Sequence, residues 1–364
     1  MTNRIRVLIA EDSATARDLI AGTLEGDDDI EVVGLAKDGI EAVEKALALK
    51  PDVITMDVNM PRLSGLEATR RIMAEVPTPI VIVSGTASMR DTAFSLSALS
   101  AGALSLLQKL PGPGADGFES AARELVTTVK LMARVKVVRR RGERPPAVMH
   151  TAPPATTTPT RPATSPPQSQ DSRRPPREKV RAVAIAASTG GTTALHTILL
   201  GLPRDYAVPI VVVQHMAAGF LDGFARWLGE ASGANVRVAV AGETLSPGRV
   251  YIAPEDNHLE VTREGRVVYS RRPAVSGFRP SGTVLFDSMA RSYGASLVGV
   301  ILTGMGRDGV DGLRTVRAAG GLVIAQDEAT SIVWGMNGAA VLEGLVDVVL
   351  PLPAIAQRLI EEVR

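Results

Sequence analysis

At 364 residues the chain is too long for one ordinary hydrophobic core, and domains of about 100–200 residues suggest two cores and a connector. Lys and Arg number 40 against 39 Asp and Glu, so a formal net charge of +1 gives no overall field to gather nucleic acid or an anionic membrane. Cysteine is absent, which excludes disulfides, thiolate metal sites and a cysteine nucleophile.

Aromatic residues make up only 3%, so the cores must rest on Val, Ile, Leu and Ala, a composition that suits α/β folds. The first apolar run stops at Glu11 and Asp12, too soon for a signal peptide, and no stretch reaches the ~18 apolar residues of a membrane span. The expectation is a soluble, cytoplasmic protein with no membrane insertion and no nucleic-acid partner.

Residues 1–135 alternate short apolar runs with amphipathic stretches, as βαβ units around a parallel sheet do. The runs Ile5–Ala10, Ile30–Leu35, Val53–Met56, Pro79–Val83 and Ala103–Leu107 predict five strands, each with a helix between or after, in a doubly wound domain. From Pro145 to Pro176, ten of thirty-two residues are proline, mixed with Thr, Ser and Ala, so residues 136–178 read as an extended linker. Eleven Lys or Arg face three acids from Lys136 to Arg181, a charge run that reads as solvation of a tether.

Alternation resumes over 179–364, with a run Val180–Ala187, a helix from about Thr192 and a run Pro209–Val213. The segments Val250–Ala253, His258–Val261 and Arg266–Tyr269 are short and bounded by turns, and read as an antiparallel β-ribbon insertion. Leu297–Leu302 and Leu322–Ala325 return to buried-strand character, and Leu352–Val363 reads as a closing helix. This second domain is also α/β, with a mostly parallel sheet.

In a parallel α/β sheet the carboxyl ends of the strands share one edge, so polar residues just after strands converge there. In the first domain this rule gathers Glu11 and Asp12 after the first run, Asp57 after the third, Ser84 after the fourth and Lys109 after the fifth. Three carboxylates together call for a hard cation such as Mg²⁺, while the lysine offers a point charge for phosphoryl oxygens. Asp57 is the candidate phosphoacceptor. Singly, Glu11 and Asp12 read equally as helix caps and Lys109 as a solvated loop residue; the set of four strand ends favours the site.

The stretch Val7–Ala16, the motif Met56-Asp57-Val58-Asn59-Met60-Pro61, Ser84 and Lys109 resemble the receiver domain of response regulators. The resemblance implies that a histidine kinase phosphorylates Asp57. It also implies that Glu11, Asp12 and Asp57 hold Mg²⁺ with the Asn59 carbonyl, and that Ser84 and Lys109 sense the phosphoryl group. Lys109 is followed by Leu110 and then Pro111, where that family has Lys-Pro.

The same rule in the second domain gives Ser188 after the first run, His215 after the second and Asp308 after Leu297–Leu302. These are the three parts of nucleophilic acyl transfer: a hydroxyl, a base that titrates near ~6.5, and a carboxylate to fix its tautomer. Thr189, Gly190 and Gly191 lead into a helix whose N–H groups can meet an oxyanion, and the loop Gly304-Met305-Gly306 can add another. Each residue also has a structural reading. Ser188 can cap the next helix, Asp308 the one near Val310, and His215 can be a satisfied core histidine. His150, His196 and His258 compete, but only His215 follows a core strand. The loop Gly304 to Gly309 also matches G-x-G-x-x-G, with Asp327 placed as a dinucleotide fingerprint asks, although it comes late in the domain.

Ala187 to Gly191, Gln214-His215-Met216, Val250–Pro254 with His258, Arg279-Pro280-Ser281, Leu302–Gly309, Ala325–Glu328 and Gly335-Met336 resemble the chemotaxis protein-glutamate methylesterase, CheB. This implies a Ser188, His215, Asp308 triad with Met305 beside the oxyanion site. It further implies methyl-ester hydrolysis, with deamidation of glutamines, on methylated chemoreceptors. The chemotaxis histidine kinase would be the phosphodonor, an intramolecular receiver–esterase interface the control, and the esterase reaction would need no cofactor. Asn337-Gly338 stands where the family has proline and a basic residue. An NAD-dependent oxidoreductase and a receiver-controlled transcription factor are the rival classes, the latter lacking a basic helix-turn-helix after residue 180.

Overall fold

The computed structural model describes residues 4–85, 102–135 and 179–363. The linker expected over 136–178, and the helix expected between the fourth and fifth strands, lie outside the described residues.

Short aliphatic runs form the first sheet: β1 (Ile5–Ala10), β2 (Ile30–Ala36), β3 (Val53–Met56), β4 (Ile80–Ser84) and β5 (Ser105–Gln108). They are hydrogen-bonded in the order β2-β1-β3-β4-β5, every pair parallel. The helices α1 (Ala14–Glu25), α2 (Gly39–Leu49) and α3 (Gly65–Glu75) follow the first three strands, and α4 (Phe118–Met132) follows β5. Ser13, Asp38 and Ser64 start α1, α2 and α3 by accepting from otherwise orphaned main-chain N–H groups.

The second unit begins with β6 (Ala182–Ala187), α5 (Gly191–Gly201), β7 (Ile210–Gln214), α6 (Leu221–Ser232), β8 (Asn235–Val238) and β9 (Arg249–Ile252). It continues through β10 (His258–Val261), β11 (Val267–Ser270), α7 (Gly282–Tyr293), β12 (Leu297–Ile301), α8 (Val310–Ala318), β13 (Leu322–Gln326), α9 (Met336–Leu342), β14 (Val348–Leu350) and α10 (Leu352–Val363). Seven strands pair in the order β14-β13-β12-β6-β7-β9-β8, all parallel.

Val250–Ala253 is not part of the ribbon: Arg249–Ile252 runs parallel between β7 and β8 in the main sheet, and only β10 and β11 pair antiparallel. Shortness and flanking turns do not separate a ribbon strand from a sheet strand, and neither does burial, since Leu259 and Val261 of the ribbon are buried like Val250, Tyr251 and Ile252; the pairing does. No described helix is long and apolar enough to cross a membrane.

Strand order reverses between β1 and β3 in the first sheet and between β6 and β12 in the second, and crevices open at such points. Small residues let helices close on the second crevice. A Cβ on Gly282 at the start of α7 would lie 2.7 Å from Ala186 Cβ, so only glycine over an alanine strand allows α7 to come this near. Phe286 on α7 is 0% exposed, with Gly312 of α8 against its Cβ. Phe286→Ala is expected to cost about 3–5 kcal/mol, read as a lowered midpoint in guanidinium unfolding.

Candidate active site

Ser188 leaves β6 one residue beyond the pairing of Ala187 with Gln214, and His215 leaves β7 at the matching position. The backbone fixes both: Ser188 N–H donates to the Thr303 carbonyl at 3.1 Å and His215 N–H to the Ala187 carbonyl at 3.0 Å. The buried Gln214 amide adds a clamp, donating through Nε2 to the carbonyls of Ser188 at 2.9 Å and His215 at 2.7 Å. Gly304 permits the facing loop to approach, since a Cβ there would lie 2.7 Å from Ser188 Cβ and 2.4 Å from Met336 Sδ.

Asp308 is 0% exposed, and its Oδ2 lies 2.9 Å from His215 Nε2. A buried carboxylate needs compensation. Ser281 Oγ donates to Oδ1 at 2.6 Å, Gly282 N–H to Oδ2 at 2.6 Å and Thr283 N–H to Oδ1 at 3.3 Å, so the N-terminus of α7 meets the charge. Burial pushes the Asp308 carboxyl up, but His215, Ser281 and Gly282 outweigh it and hold the group below its ordinary range. An ionised Asp308 only accepts, so in the neutral tautomer of the imidazole Nε2 carries the proton and Nδ1 the lone pair. Nδ1 is buried and has no hydrogen-bond partner. The far side of the imidazole is covered by the Phe278 ring, stacked at 3.8 Å between centroids with 1° between planes.

The helices α5 and α8 begin at Gly190 and Gly309 without any side-chain cap, so neither Ser188 nor Asp308 caps them. His196 sits on α5 beside Trp227, and His258, which opens β10, has its Nε2 3.1 Å from the Pro273 carbonyl, so neither follows a strand of the main sheet. Gly191 N–H is spent on the Ser188 carbonyl at 2.8 Å, so that expected oxyanion donor is withdrawn. The N–H groups of Thr189 and Gly190 meet no acceptor among the described residues. Met305 lines the same cleft, a cavity of roughly 480 Å³ shared by Ser188, His215, Phe278 and Arg279. Residues of the first unit, among them Leu104, Leu107 and Glu124, form its other wall.

At the first crevice, oxygens of Glu11, Asp12 and Asp57 come within 4.8 Å of one another. Lys109 Nζ donates to Glu11 Oε1 and Asp57 Oδ2, each at 2.9 Å. Burial pushes the Glu11 and Asp57 carboxyls up despite Lys109, while their hydrogen bonds raise the Lys109 ammonium against the effect of its own burial. One ammonium against three carboxylates leaves negative charge that a hard divalent cation fits. Ser84 is fully buried at the end of β4 on the same edge.

Residues 183–359 match the CheB methylesterase family and residues 7–114 the response regulator receiver domain. The protein-glutamate methylesterase/protein-glutamine glutaminase 4 of Myxococcus xanthus is 49% identical over 355 residues, 98% of this chain and 96% of its own. The chain belongs to the CheB methylesterase family. Protein-glutamate methylesterase/protein-glutamine glutaminase 3 of Anaeromyxobacter dehalogenans is 50% identical over 356 residues, 98% of either chain. The CheB methylesterase catalytic domain of Thermotoga maritima, a crystal structure, is 40% identical and covers 50% of this chain and 99% of its own, with a TM-score of 0.49.

Two residues of the dinucleotide pattern have other duties here. Gly304 makes room for Ser188, and Asp327 Oδ1 accepts from Thr330 N–H at 3.0 Å and Thr330 Oγ1 at 2.5 Å within its own turn. Asn337 is buried and donates to the Gln326 carbonyl at 3.0 Å and Ser331 Oγ at 2.7 Å, tying the start of α9 to the end of β13 and the turn after it. Sequence reasoning gave no role to Gln214, Ser281 or Phe278. A lone amide ending an apolar strand and a serine before a helix were available signals for the first two; a single aromatic in a polar loop is none.

Asp308 stays charged in the folded chain at pH values where the unfolded chain already binds its proton. Its contribution to stability is therefore complete above the ordinary Asp range and is lost as pH falls through the lower folded value. The stability gap between wild type and Asp308→Asn should narrow on the acid side, below about pH 4, in urea unfolding at stepped pH; narrowing above neutrality would contradict this.

Proposed function

We propose that this chain is a phosphorylation-controlled serine hydrolase that removes methyl esters from glutamates of chemoreceptors and also deamidates receptor glutamines. The observation that carries the reading is the unpartnered Nδ1 of His215, opposite an Nε2 held at 2.9 Å by a buried, ionised Asp308, on the strand next to Ser188. Family membership supports it.

Ser188 Oγ attacks the γ-carbonyl carbon while His215 Nδ1 takes its proton, and Asp308 stabilises the imidazolium. The N–H groups of Thr189 and Gly190, with Met305 beside them, hold the oxyanion. Collapse breaks the ester C–O bond, methanol leaves with the proton from His215, and the acyl group remains on Ser188. Water, deprotonated by His215, then attacks the acyl carbon; glutamate departs and Ser188 regains its proton. With glutamine the leaving group is ammonia. This scheme calls for no metal or organic cofactor.

Residues 1–135 form the receiver, 136–178 the tether and 179–364 the esterase. Asp57 accepts a phosphoryl group from the chemotaxis histidine kinase. Glu11, Asp12 and Asp57 would hold Mg²⁺, which when bound would neutralise the incoming phosphoryl charge. Lys109 and Ser84 respond to the phosphoryl oxygens. The receiver wall of the cleft, Leu104 to Leu107 with Glu124 and Thr128, stands opposite Ser188, and esterase residues Ile332 and Val333 pack against the receiver core. Phosphorylation loosens this intramolecular interface, and the tether keeps the released receiver near. The enzyme works in the cytoplasm, where the receptors present their methylated helices.

Ser188→Ala should lower methanol release from methylated receptor by about 10³-fold or more, near the limit of detection. Asp57→Asn should abolish stimulation by acetyl phosphate, read as the ratio of methanol release with and without the phosphodonor. An equal ratio in both forms would refute the regulatory half of the reading.

A further inference from the structure

We infer that Phe278 is a positioning residue for His215, holding the imidazole in its reactive plane and stabilising the cation the ring becomes during acyl transfer. The inference rests on the reading of His215 as the base.

The hydrogen bond from Nε2 to Asp308 fixes one edge of the imidazole but leaves the ring free to swing about that bond. A flat neighbour at 3.8 Å, within 1° of parallel, removes that freedom. The other ring contacts among the described residues are looser: His196 and Trp227 are 5.3 Å apart and tilted by 43°, and Phe224 and Trp227 are 6.1 Å apart. The stack at His215 is thus the closest and flattest of them.

The loop that presents Phe278 is itself braced. Val275 and Phe278 exchange main-chain hydrogen bonds of 3.1 and 2.9 Å around Ser276 and Gly277, whose φ angles of 53° and 84° make a tight left-handed turn. Arg279 follows and is anchored, its Nε donating to Asp256 Oδ1 at 3.0 Å. Ser281 and Gly282 come next, and both donate into Asp308. One stretch of eight residues, 275–282, therefore sets the plane of the base and the position of its carboxylate together. When Ser188 gives up its proton the imidazole becomes a cation, and the π-face of Phe278 favours the charged ring over the neutral one. An aliphatic side chain of equal bulk would fill the space without that preference.

The test uses the full-length chain and methanol release from methylated receptor. Phe278→Leu should lower kcat about three- to tenfold with KM within about twofold of wild type, because the loss falls on the charged transition state. Phe278→Tyr should retain kcat within about twofold. Wild-type kcat in Phe278→Leu, equal losses in the Leu and Tyr variants, or a change confined to KM would each overturn the inference. If leucine prevents folding, as circular dichroism would show, Phe278→Met carries the same expectations. Ser188→Ala, assayed alongside, separates the two claims. Retained activity there sinks the reading of the site, whereas an inactive Ser188→Ala with an unaffected Phe278→Leu sinks only the role of Phe278.

Discussion

Strand β6 is hydrogen-bonded on one side to β7 and on the other to β12, and strand order turns back between β6 and β12. The chain leaves these two strands toward opposite faces of the sheet, so a crevice remains that no connection fills. Ser188 and His215 stand on it because they end paired strands, and the loop after β12 brings Asp308 in from the side. Burying that carboxylate completely would be costly alone. Three donors from the head of α7 and one from His215 offset the cost, and α7 can come so near only because alanines and glycines face each other there.

The first sheet repeats the architecture with the opposite electrostatics. At its reversal point carboxylates crowd one another, and a single lysine between Glu11 and Asp57 does not keep either acid in its ordinary range. Asp308 is surrounded by donors and holds its charge; Asp57 is buried among like charges and invites a counter-ion. The same side-chain type is held below its ordinary range in one crevice and pushed above it in the other because of what surrounds it.

The crevices were legible in the sequence because strand ends in parallel sheets converge whatever the loops do, and a reader needs only the apolar runs and the polar residue after each. Edge strands β8 and β14 were not legible. Asn235–Val238 mixes polar with apolar residues, and Val348–Leu350 is three residues long and partly exposed, so neither gives the buried-strand signal. Val250–Ala253 gave that signal but not its partner. The donors around Asp308, the Gln214 clamp and the Phe278 stack come from residues distant in sequence, and no local pattern encodes such meetings. Gly191 illustrates the converse: its place before a helix suggested an oxyanion contact, while the turn itself uses its N–H.

Gln214 and Gly191 also constrain each other through space. A methyl group at 191 would sit 2.1 Å from Gln214 Oε1, inside any permissible contact, and 2.7 Å from Ala187 Cβ. The amide at 214 cannot retreat without letting go of two carbonyls. Enlarging residue 191 is therefore tied to residue 214: a lineage that did so would first have to surrender the amide clamp between the ends of β6 and β7, and so pass through a less ordered enzyme on the way.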